Sequence, residues 1–86
     1  MILKRGNNYY NFIGIETDFI LDITLCLEYW YKYKNKFGYG HAKRKFTVHS
    51  WNDMINLMGS FEEVSSGVLN ASTAREYINN LDKSLN

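Results

Sequence analysis

The chain has 86 residues, a net charge of +1, and 45 % hydrophobic and 16 % aromatic residues. That is enough for one packed domain and excludes both a two-domain protein and a disordered one. The single cysteine, Cys26, excludes an internal disulfide, and no Cys/His set has zinc spacing. We therefore read residues 1–86 as a single α+β domain with no implied cofactor, in a reducing compartment.

The opening "MILKRGNNYY" lacks the long apolar core and small-residue cleavage site of a signal peptide. The longest apolar run, "FILDITLCLEYWY", is broken by Asp22 and Glu28 and is too short for a membrane-spanning helix. A soluble, cytoplasmic protein is expected. Proline is absent, whereas Asn, Lys, Ile and Tyr are frequent, the bias of an AT-rich genome such as that of a low-GC bacterium, its phage or a large virus.

In chain order, Ile2–Lys4 forms a short leading strand that turns through Gly6 and Asn7. "NYYNFIGI" follows as a second strand, with Gly14 marking a bulge or a close backbone approach. From Ile23 to Lys34 the pattern has a period of two. Ile23, Leu25, Leu27, Tyr29, Tyr31 and Tyr33 alternate with Thr24, Cys26, Glu28, Trp30, Lys32 and Lys34, so a long strand with one buried face is expected. "KNKFGYGHAK" is read as the turn and "RKFTVHS" as the returning strand, with Phe46 and Val48 inward and Lys45, Thr47 and His49 outward.

At Ser50 the period becomes helical. Ser50 and Asp53 resemble a capping box, Trp51, Met54, Ile55 and Met58 share a face, and Gly59 ends the helix. Trp51 is the expected anchor of helix on sheet. Ser60 and Glu63 predict a short helical turn ending at Gly67. Thr73 and Glu76 open a last helix with Ala74, Tyr77, Ile78, Leu81 and Leu85 on its apolar face and Lys83 near its C-terminus. Strands first and helices second predict an antiparallel meander of three to four strands, with two to three short helices packed on one face.

Charge is unevenly placed. Between residues 28 and 45, six cations against Glu28 give +5, while four cations against eight carboxylates give −4 elsewhere. The basic hairpin supplies the candidate binding surface: Trp30, Lys32, Lys34, Lys36, Phe37, Tyr39, His41, Lys43, Arg44 and Lys45. Tyr, Trp and Arg dominate protein interfaces, so the leading reading is docking on a larger protein or ribonucleoprotein with an acidic surface. An alternative is nucleic-acid binding, with lysines on phosphates and rings on bases. The sequence pI of 7.8 is lower than a dedicated nucleic-acid module usually has. A solvated edge strand carrying lysines against aggregation is the bland counterpart.

No catalytic or metal-ligating set rises above background. His41 with Tyr39, Lys43 and Arg44 is the seed of a second alternative, a metal-free, toxin-like ribonuclease. Cys26 lies in mid-strand and reads as a small half-buried residue, with His49 on the same parity. Glu16, Asp18 and Asp22 cluster at a turn but lack calcium-loop spacing, and Glu62 and Glu63 suit a helix start. The expectation is a small non-enzymatic binding protein. A phage or mobile-element inhibitor of a host machine, of the anti-CRISPR kind, is the setting that length and composition suggest. A homodimer through an exposed strand edge is also compatible with the pattern.

Overall fold

The computed structural model describes residues 1–33 and 38–85, the last five of these by backbone alone. The elements run β1 (Ile2–Arg5), β2 (Asn8–Thr17), β3 (Ile23–Lys32), β4 (Tyr39–Val48), α1 (Trp51–Gly59), β5 (Glu62–Ser65) and α2 (Ala71–Leu85). The strands form one antiparallel sheet in the order β4-β3-β2-β1-β5. The class is α+β, and β1 to β4 are the expected meander.

The alternation along β3 sets both faces of this sheet. Ile23, Leu25 and Leu27 are buried with Leu3, Tyr10, Met54 and Phe61 beneath α1. On the other face Trp30 packs with Ile2, Leu69 and Ala74 beneath α2, joined by Tyr9 and Tyr77. Helices therefore cover opposite faces, which corrects the expectation that all of them pack on one. The cause is β1, whose consecutive residues Ile2 and Leu3 point to opposite sides of the sheet and are both buried.

Near Gly14 the register between β2 and β3 shifts between Phe12 and Gly14, so the expected bulge falls on Ile13. The long β3 runs to Lys32. The predicted turn is too long, because β4 already begins at Tyr39 and pairs Gly40 with Tyr31. A Cβ on Gly40 would stand 2.7 Å from the Tyr31 ring and 2.9 Å from the Tyr33 hydroxyl. Glycine there lets the tyrosine stripe fold down over the partner strand.

The segment after α1 departs furthest from expectation. Ser60 does not start a helix: its hydroxyl donates to the Leu57 carbonyl at 2.6 Å, and its N–H goes to the last carbonyls of α1. Phe61 then enters the core, and Glu62–Ser65 is a strand, not a helical turn. Without it the backbone of β1 would present an unpaired edge beside two buried side chains. Tertiary pairing outweighs the local capping signal. The last helix starts before Thr73: Asn70 and Thr73 exchange reciprocal side chain to N–H bonds at 2.8 and 3.1 Å, so Asn70 is the cap. The predicted face residues Leu81 and Leu85 and the side chain of Lys83 lie outside the described side chains.

α1 is capped at Ser50 as expected, its hydroxyl accepting the Asp53 N–H at 3.1 Å. Met54 is buried and Leu57 and Met58 are half-buried against the sheet, but Trp51 and Ile55 face solvent. The expected anchor is thus not in the core. Apolar residues occupy more of this helix than one sheet-facing stripe can use. Leu27→Ala should therefore lower stability by about 2–5 kcal/mol, while Ile55→Ala should change the stability of the single chain, read in dilute solution, by less than about 0.5 kcal/mol. Urea unfolding of the two variants checks the contrast.

Candidate binding surface

Strand pleating divides the predicted basic cluster. Lys43 and Lys45 lie across β3 from Glu28 and Cys26, on the face that α2 partly covers, and Arg44 lies across from Leu27 on the α1 face. Lys45 reaches the Glu16 carboxylate at 3.9 Å, an exposed and therefore weak ion pair. Arg44 places its guanidinium 5.3 Å from the Phe46 ring centroid. Arg5, a cation the hairpin reading missed, stands 4.7 Å from the same ring and 4.5 Å from Phe61. Its guanidinium also donates to the Ser60 hydroxyl at 3.4 Å.

The aromatic members are engaged within the fold. Trp30 and His41 face each other across the strands with ring centroids 4.8 Å apart. Tyr39 donates to the Asn79 side chain at 3.0 Å, and the Arg75 guanidinium lies 5.7 Å from its ring. These contacts tie the start of β4 to α2, so Trp30 and Tyr39 serve as packing and His41 is stacked rather than poised. Lys32 is exposed near the end of β3. Lys34, Lys36 and Phe37 lie outside the described residues. The structure thus ties Trp30 and Tyr39 to α2 and stacks the exposed His41 on Trp30. It separates them from the cationic stretch Lys43–Arg44–Lys45.

That stretch lies on a sheet edge. β4 pairs with β3 on one side, and among the described residues no strand pairs with its other side. Every second one of its ten residues turns its backbone donor and acceptor outward, flanked by cations on both faces.

Side-chain chemistry elsewhere is sparse. Cys26 is buried, its thiol directed at the Thr24 carbonyl at 3.9 Å, at the base of a cleft of about 100 Å³ that Ile13, Lys43 and Lys45 also line. His49 does not face Cys26; its Nδ1 lies 2.7 Å from the Asp22 carboxylate. Among the described residues no group of three or more His, Cys, Asp or Glu side chains could hold a metal ion. Nor does any described helix have the length and apolarity to cross a membrane.

One feature of the surface escaped sequence reasoning. Phe19, Ile20 and Leu21 form the turn between β2 and β3 and are all exposed, as are Trp51 and Ile55 of α1; Leu21 and Trp51 line one cleft. The turn is firmly held: the Asp18 carboxylate accepts the N–H groups of Ile20 at 3.1 Å and Asp22 at 3.0 Å, and the Asp18 carbonyl accepts that of Leu21. Leu21 has φ +68°, a left-handed conformation unusual for a leucine. The signal was present as "DFILD", three large apolar residues between two turn-forming aspartates. They were absorbed into the apolar run that leads to β3.

Comparison with protein-family models, with curated proteins and with solved structures finds no match. The functional reading therefore rests on this geometry. Leu21→Gly should raise stability by up to about 1 kcal/mol, because glycine adopts positive φ without the Cβ clash. A rise in the urea midpoint checks it, and a fall would show that the leucine side chain contributes to the fold.

Proposed function

We propose that this protein acts by stoichiometric binding, taking an extended acidic segment of a larger protein or ribonucleoprotein onto the outer edge of β4. The observation that carries this reading is the coincidence of an open strand edge with three consecutive cations, Lys43, Arg44 and Lys45. An added strand gains main-chain hydrogen bonds along the edge. Three successive acidic residues in it, alternating between faces as β4 does, meet a cation on each side of the sheet. Such complementarity sets partner choice and association rate.

Nucleic-acid binding is less well supported. Lys45 is near Glu16, Lys43 lies opposite Glu28, and Trp30 and Tyr39, two rings of the basic hairpin, are engaged by α2. For a ribonuclease at His41, stacking on Trp30 supplies no base or acid partner. An inhibitor of a host machine, encoded by a phage or mobile element and of the anti-CRISPR kind, is the setting we propose for such a binder; it is supported by composition alone.

The experiment is anisotropy titration of a labelled peptide with three successive glutamates flanked by valines, alongside a labelled single-stranded oligonucleotide. Binding of the peptide should weaken at least about tenfold when Lys43, Arg44 and Lys45 are changed to Glu, and should weaken as salt rises. Binding of the oligonucleotide and not the peptide would reverse the assignment.

A further inference from the structure

At the end of the β3–β4 hairpin opposite Tyr33, the turn Phe19–Leu21 meets the start of α1 at a cleft that Leu21 and Trp51 both line. Phe19 is 96 % exposed, and Ile20, Leu21, Trp51 and Ile55 each between 57 % and 77 %. Phe19 and Trp51 alone expose on the order of 300 Å², already the size of the largest apolar patch of many monomers, and the three aliphatic residues extend it toward the area of about 800 Å² that each partner contributes to a standard interface. Trp51 and Ile55 are one helical turn apart, so they extend the same stripe.

This surface has both a knob and a socket. Phe19 projects into solvent. Two residues on, Leu21 lines a cleft of about 320 Å³ together with Thr17, Ile23, His49, Ser50 and Trp51. A two-fold axis beside the turn lets the Phe19 ring of each copy enter the cleft of the other, because an isologous contact uses the same patch twice. We propose that this surface is the interface of a symmetric homodimer.

Three further observations fit a second copy. First, the N–H groups of Ile20, Leu21 and Asp22 are already bonded to Asp18, so burying the turn leaves these donors satisfied. Second, the acids at its base have local partners. Asp18 holds two of those N–H groups, and Asp22 is 2.7 Å from His49, which moderates repulsion between copies. Third, the competing dimer through β4 is opposed by charge. Antiparallel self-pairing centred on Arg44 sets that residue against its own copy and Lys43 against Lys45, and like charges directly opposite destabilise a sheet. The dimer would leave both β4 edges open, giving two acidic-segment sites per particle. It does not depend on what those edges bind.

Sedimentation equilibrium at about 100 μM protein reads the mass directly. The expected result is a particle of twice 10.1 kDa. In the double variant Phe19→Ser, Trp51→Ser the dissociation constant should rise at least about a hundredfold with an unchanged circular dichroism spectrum. The variant with Lys43, Arg44 and Lys45 changed to Glu should remain dimeric. A wild-type monomer overturns the proposal, and one that co-sediments with phosphatidylcholine vesicles assigns the surface to lipid instead. A dimer unaffected by the apolar double variant also overturns it.

Discussion

Two adjacent residues, Ile2 and Leu3, govern the architecture. Neighbours on a strand point to opposite faces, and both of these are buried. One face must therefore be covered by α1 and the other by α2. β1 must also be flanked on both sides, because its backbone groups lie among buried side chains. The chain meets this by crossing from β4 over one face as α1 and adding β5 beyond β1. The outer strands of the sheet are then β5, four residues long, and β4, ten residues long and carrying the three cations.

This arrangement also explains why the two ends of the β3–β4 hairpin differ. Toward Tyr33 the strands carry tyrosines that fold over Gly40, and α2 is tied to Tyr39 and Trp30. At the other end the helix α1 begins beside the turn from β2 to β3, where α1 cannot cover every apolar residue. Trp51, Ile55 and the Phe19–Leu21 turn are left outside. The strained φ of Leu21 and the Asp18 hydrogen bonds hold that turn in one shape. Rigid presentation of apolar groups lowers the ordering cost of association.

Much of the fold was legible because its signals are local and periodic. The period of two from Ile23, the capping Ser50 and the break near Gly14 each correspond to an observed feature. Glu62–Ser65 was not legible, since its strand character comes from pairing with residues some sixty positions away. Likewise the two-sided helix packing depends on Ile2 and Leu3, which as a four-residue strand offer almost no period to read. For the surface, sequence placed Lys32, Lys43, Arg44 and Lys45 on the β3–β4 hairpin, where the structure has them, but treated all the cations as one patch. Parity along β4 splits Arg44 from Lys43 and Lys45, and contacts with α2 withdraw Trp30 and Tyr39. The apolar turn was hidden for the opposite reason: its residues resemble core until the fold shows that no core reaches them.

The central claim is that β4 is an open edge in the free protein. Residue-resolved amide hydrogen exchange tests it most directly. The account predicts continuous protection along β3, which is paired on both sides, and alternating protection along β4, where every second amide faces solvent. Continuous protection of Tyr39–Val48 in the free protein would mean that the edge is already covered, and would contradict the account.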